Sequence, residues 1–148
     1  MFVRTLFAGW GDMDFNAHMK NTAYLDKAAD VRMLFFAEHG FPMSEFARLR
    51  IGPVVVKDEI EYFREVHLLE EITVDLVFAG LSEDGSRMLI RNGFSRPDGK
   101  LAARVTTMGG WMDLSTRKLV APPSMLLDTL NKSPRATDFQ QLSTSVKQ

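Results

Sequence analysis

The chain has 148 residues, of which 45% are hydrophobic and 25% charged, and its formal net charge is -1. That is the composition of one ordinary globular domain, and so even a charge balance leaves no electrostatic footprint for nucleic acid. Cysteine is absent, which excludes disulfides, thiolate catalysis and zinc–thiolate sites; no apolar run reaches membrane-span length, no secretory signal pattern opens the chain, and a cytoplasmic location is expected.

In chain order, Phe2 to Ala8 alternates as a first strand and stops at Gly9-Trp10-Gly11. From about Ala17 to His39 the period becomes helical. Tyr24, Ala28, Val31 and Phe35 form an apolar stripe, which Leu25, Leu34 and Phe36 widen beyond what a surface helix needs. Gly40 ends this helix and Pro42 cannot continue it. A short helix is expected within Phe41–Leu49, with Ser44 as a cap. Val54 to Arg64 returns to a period of two, with Val54, Val56, Ile60 and Tyr62 on one face, interrupted by Asp58, and Lys57, Glu59 and Glu61 on the other. Strands follow over Glu71–Ala79, Arg87–Ser95 and Leu101–Leu114, joined by Asp-Gly turns that favour antiparallel hairpins. Gly109-Gly110 allows a bulge or a close backbone contact in the last of these. Ser124–Asn131 reads as a short final helix, and the polar segment 132–148 as a frayed tail after a single domain spanning residues 1–131.

The densest chemistry lies at the entrance to the long helix, in Gly11-Asp12-Met13-Asp14-Phe15-Asn16-Ala17-His18-Met19-Lys20-Asn21-Thr22-Ala23-Tyr24. Two acids, a histidine and two amides make poor core and good site material. A helix N-terminus presents unpaired N–H groups and a positive dipole end, which keep a carboxylate ionised and can hold a developing oxyanion.

Asp12-x-Asp14 with His18, Asn21 and Tyr24 opening a long helix resembles the hotdog-fold thioesterases of the 4-hydroxybenzoyl-CoA thioesterase type. The strand Val54–Arg64, with Tyr62 near its end, resembles the second strand of that family, and the order of elements agrees over roughly residues 2 to 125. The resemblance implies an α+β hotdog fold, an antiparallel sheet of about five strands wrapped around one long central helix. It implies hydrolysis of an acyl-CoA or acyl-carrier thioester, with Asp14 as nucleophile or general base and the backbone amide of Asn21 polarising the carbonyl. It implies no cofactor beyond the coenzyme A of the substrate. Open sheet edges point to a homodimer or homotetramer. One departure is Ala17, where the family has glycine before the histidine; alanine tolerates positive φ poorly.

Each candidate has a plainer reading. Asp14 is otherwise a helix cap, Asp12 a bonder of loop amides, and Tyr24 a core residue that also borders the pocket. His18 is placed with the catalytic group, or else merely in the first helical turn. Trp10, Met13 and Phe15 stand near Asp14 as pocket-shaping residues, and Glu59 is a second acid candidate for substrate contact. Arg32 and Asp58 suit a buried ion pair, and His39 and His67 suit solvent. Asp12, Asp14 and His18 could be drawn as a metal site, but no further His or Cys cluster supports one, and no metal is expected. Arg87, Arg91, Arg96, Lys100 and Arg104 are either a charged strand face or partners for coenzyme A phosphates. Two rival functions stay open: a non-catalytic acyl-CoA binding module, and a hotdog dehydratase or hydratase, whose Pro-Gly-His-Phe-like stretch is absent.

Overall fold

The computed structural model describes residues 1–144. The alternating segments become β1 (Phe2–Phe7), β2 (Ile51–Tyr62), β3 (Glu71–Ser82), β4 (Arg87–Ser95) and β5 (Leu101–Asp113), paired antiparallel in the order β1-β3-β4-β5-β2. The Asp84-Gly85 turn joins β3 to β4 directly, and Pro97-Asp98-Gly99 joins β4 to β5, so consecutive strands are neighbours as two-residue periodicity with tight turns requires. The helices are α1 (Asn21–Glu38), α2 (Met43–Leu49) and α3 (Ser124–Asn131). With α1 as the one long helix against this sheet, the architecture is the hotdog fold, with seven strands among the described residues rather than about five.

Two strands account for that difference. β6 (Leu119–Val120) adds briefly to β5, and β7 (Arg135–Leu142) runs parallel to β3. β7 corrects the expectation of a frayed 132–148 tail. β1 pairs only with residues 71–76 of β3, which leaves the second half of that edge without a neighbour. β7 takes it, opposite Phe78 to Ser82, and its half-buried Ala136, Phe139 and Leu142 fix it there; Phe139 packs against the core. A composition rich in polar residues hid three apolar anchors at a spacing of three. Residues 145–148 of the expected tail lie outside the described residues.

The stripe on α1 is the core of the molecule. Tyr24, Ala28, Val31 and Phe35 are all 2% exposed or less, and Phe36 closes the set. Phe35 meets the rings of Phe2 and Phe78, while Phe36 and Phe46 pack on Trp111, whose Nε1 donates to the Gly85 carbonyl at 3.1 Å. Each such side chain contributes about 1.5–3 kcal/mol by burial. The wrapping is incomplete: Leu34 is exposed, and Leu25 and Met33 are half-buried.

β2 forms an edge of the sheet. A register shift between Val55 and Lys57 breaks its alternation, leaving Val56 65% exposed, while Asp58, Ile60 and Tyr62 stand opposite Thr107, Val105 and Ala103. The neighbouring Gly109 is a close-contact glycine, since a Cβ there would come within 2.9 Å of the Val54 carbonyl oxygen.

Candidate active site

The segment between β1 and α1 is a folded loop held by its own acids. A single 3-10 turn, Trp10–Asp12, follows β1, and Asp12 Oδ2 accepts from the Gly9 amide at 2.8 Å and from Lys27 Nζ at 2.9 Å. Burial pushes the Asp12 carboxyl up, but Lys27 and the Gly9 amide together hold it below the ordinary range. Asp12 therefore shapes the loop, and it points to Lys27 rather than to Asp14 and His18, which removes the geometry for a metal shared by the three. Among the described residues no group of three or more His, Cys, Asp or Glu side chains could hold a metal ion.

Met13 and Met19 face each other in an isolated antiparallel bridge, and Asp14 to Ala17 make the turn between them. The Asp14 amide donates to the His18 carbonyl at 2.9 Å, and the Ala17 amide donates to the Asp14 carbonyl at 3.2 Å. Closing this turn puts Ala17 at φ 65, the left-handed conformation that glycine would adopt without strain.

The Asp14 carboxylate is oriented from one side only. Its Oδ1 accepts from the Asn16 amide at 2.8 Å and meets the His18 amide at 3.4 Å, while Oδ2 lies 3.2 Å from His18 Nδ1. This is an Asx turn within the loop. It is not a helix cap: α1 begins at Asn21, its N-cap is Lys20, and no side chain caps it. The amides of Asn21 and Thr22 are thus left without a side-chain acceptor at the positive end of an 18-residue helix.

Asp14, His18, Asn21 and Tyr24 come together on one cleft of about 540 Å³, closed on the other side by Tyr62, Phe63, Arg64 and Glu65. The His18 ring bridges this space, with Nδ1 on Asp14 and Nε2 4.0 Å from Glu65 Oε1. Tyr24 is both core and wall: its ring packs edge-on against Tyr62 and Phe94. Burial, with Tyr62 and Asp14 nearby, pushes its phenol up to about 12, so it stays a neutral donor at working pH. Sequence reasoning missed Phe63, Arg64 and Glu65. They follow the last alternating residue of β2, where no periodicity marks a direction, and tertiary pairing alone brings them here: the amides of Phe63 and Arg64 donate to the Ala102 carbonyl.

The other candidates divide. Trp10, Met13 and Phe15 line an adjoining groove of about 460 Å³ that also contains Asp14, with Trp10 83% and Phe15 103% exposed. Asp14 therefore stands on the ridge between cleft and groove. Glu59 is not brought to the site. It lies on the outer face of β2, opposite Thr106, and pairs with Lys57 at 2.8 Å, because alternation sends it away from the face that carries Tyr62. Arg32 and Asp58 do not form a direct ion pair: Arg32 Nη1 donates to Thr107 Oγ1 at 3.2 Å, and Thr107 Oγ1 donates to Asp58 at 2.6 Å. In the basic run, Arg91 holds Asp138 through two bonds and Arg104 holds Glu61, the pairing of a charged strand face. His39 and His67 are exposed.

Comparison with known proteins agrees with this geometry. The chain is similar, with a TM-score of 0.81 and 22% identity, to a hypothetical protein from Staphylococcus aureus in complex with CoA, over 99% of this chain and 89% of that one. It is similar to a 1,4-dihydroxy-2-naphthoyl-CoA thioesterase from Synechocystis (TM-score 0.78, 15% identity, 88% and 96% covered) and to a probable thioesterase from Escherichia coli (TM-score 0.72, 21% identity, 88% and 96% covered). No curated protein matches significantly in sequence. The pattern of the Thioesterase-like superfamily matches residues 8–130, and with the fold and the loop-to-helix site this chain belongs to that superfamily and is a thioester hydrolase.

Proposed function

We propose that this protein hydrolyses an acyl-CoA or acyl-carrier thioester to the free acid and thiol without a cofactor. The observation that carries the reading is the Asp14 carboxylate, held by loop amides beside the uncapped N-terminus of α1. In this reading a thioester carbonyl meets Asp14 Oδ2 with its carbon and the Asn21 amide, on the same cleft, with its oxygen, where the N–H and the helix dipole stabilise the charge that develops on addition. Asp14 either attacks the carbonyl carbon, forming an anhydride that water then cleaves, or takes a proton from the attacking water. On either route one water is added, the C–S bond breaks, and a proton reaches the leaving sulfur. His18, 3.2 Å from Asp14, orients the carboxylate and is the nearest group to relay that proton. The ridge position of Asp14 gives the two limbs of the thioester separate homes, one in the cleft and one in the groove of Trp10, Met13 and Phe15.

A homodimer or homotetramer belongs to the same proposal, since β2 leaves an unpaired edge. So does a cytoplasmic location; among the described residues no helix is long and apolar enough to cross a membrane. The test is thiol release from a panel of acyl-CoAs by wild type and Asp14→Asn, with circular dichroism to check the fold. Asp14→Asn is expected to lower kcat by roughly 10²–10⁴-fold with little change in KM. Unchanged turnover would remove Asp14 from the chemistry. Tight binding with no thiol release from any substrate would make the protein a binding module instead.

A further inference from the structure

A second cavity, of about 190 Å³, lies under the far half of α1, between that helix and β2, β4 and β5. Its walls are apolar, among them Met33, Phe36, Val54 and Ile90, with a single charged side chain, Arg32. The half-buried Arg32 guanidinium makes one hydrogen bond among the described residues, to Thr107 Oγ1, and no ion pair with a carboxylate. The Arg32 side chain lines this cavity, and the charge of Asp58 acts on it from beyond Thr107. A planar cation in apolar surroundings with open donor positions is incompletely compensated, and the group that completes it best is a carboxylate bound through two parallel bonds.

The cavity lies on the same track as the catalytic cleft. Arg32 follows Asn21 by eleven residues, three full helical turns, so the two lie on one side of α1, about 16 Å apart along its axis. β2 runs beside the same track, with Tyr62 at the cleft and Val54 and Val55 at the cavity. Between the ends, Leu25 of α1 and Ile60 of β2 are half-buried and pack against the core.

Building on the thioesterase reading, we infer that the acyl limb runs from Asp14 along α1 into this cavity and ends there in a carboxylate held by Arg32. The substrate class is then an ω-carboxyacyl thioester, and its hydrolysis releases a dicarboxylic acid. Asp58, whose charge acts on Arg32 and whose carboxylate accepts from Thr107, anchors the guanidinium at the cavity wall.

The experiment compares kcat/KM for pairs of acyl-CoAs of equal length, ending in methyl or in carboxylate, across short, medium and long chains. At one length the carboxylate partner is expected to be preferred by roughly tenfold or more. The preference should invert in Arg32→Met and be partly kept in Arg32→Lys, which retains the charge without the fork. Equal or lower kcat/KM for the carboxylate partner at every length overturns the inference, as does a preference that Arg32→Met leaves unchanged. Calorimetric titration of free dicarboxylic acids into wild type and both variants supplies a readout independent of turnover. If no thioester releases thiol, the hydrolase reading fails. Calorimetry then decides the cavity: binding that Arg32→Met abolishes supports the inference, and no binding to wild type overturns it.

Discussion

Ala17 is the residue on which the geometry of the entrance loop turns. The Asp14–Ala17 turn needs a left-handed residue at its end, and here an alanine supplies it at φ 65. An L-residue with a Cβ pays roughly 1 kcal/mol for that conformation, while a glycine would give up a similar amount in unfolded-state entropy. Ala17→Gly is therefore expected to change stability by less than about 1 kcal/mol, and Ala17→Val to cost about 1–2 kcal/mol beyond alanine, since a β-branched side chain is an outlier at positive φ. Thermal denaturation of the two variants checks both; an Ala17→Val protein as stable as wild type would show that the loop relaxes without strain. The position matters chemically because the same turn aims Asp14: its Oδ1 is fixed by the Asn16 amide two residues before the His18 amide. The resemblance to 4-hydroxybenzoyl-CoA-type thioesterases marked Ala17 as a departure, yet the loop keeps the conformation a glycine would take.

At the scale of elements, the chain just beyond β7 is tied back to the sheet by one acid outside it. Asp84, in the β3–β4 turn, accepts from the hydroxyls of Ser82, Ser86 and Thr144 and from the Ser86 amide. Burial works to raise its carboxyl, but these donors hold it down to about 2, against an ordinary 3.8. Because the folded value is the lower one, the stabilisation is fully present above 3.8 and is lost as pH falls through about 2. Hydrogen exchange at the amides of β7 and of the second half of β3 should therefore accelerate over that interval before the β4–β5 pairing opens. Asp84→Asn should loosen the same amides at neutral pH. Uniform exchange across the sheet in either experiment would mean that β7 is held by its pairing with β3, its apolar anchors and the Arg91–Asp138 pair without help from Asp84. The same strand shows why residues 132–148 read as a tail. Each of its apolar residues is isolated in sequence, and only the vacant edge of β3 gives them a common surface.

For the whole molecule, the unpaired edge of β2 sets the expectation for assembly. This strand has 12 residues, and Val55 and Val56 are 52% and 65% exposed. A long edge that carries exposed apolar residues such as these is normally covered. The protein in solution is expected at twice the 16.7 kDa of one chain, or at a multiple of that. Val55→Lys with Val56→Lys should shift it towards the single-chain mass in light scattering after size exclusion. A double variant that keeps the parent's mass would place the subunit contact on another surface. Such pairing would also lie beside the cleft, since β2 leads directly into Tyr62–Glu65.

Sequence alone determined the elements whose signal is local. Periods of two and of about three and a half drew β1, α1 and the β3–β5 meander, and the buried stripe Tyr24, Ala28, Val31 and Phe35 was legible because helix geometry repeats in the chain itself. The crowd of polar residues before α1 was legible for the same reason, being contiguous. Tertiary structure decided whatever depends on meeting a distant partner. It separated Asp12, bound to Lys27, from Asp14, bound to its own loop. It brought Glu65 across from the end of β2 to His18 and sent Glu59 to the opposite face. It also joined Arg32 to Asp58 through Thr107, 75 residues along the chain from Arg32, a link that no spacing in the sequence encodes because strand pairing alone sets the distance.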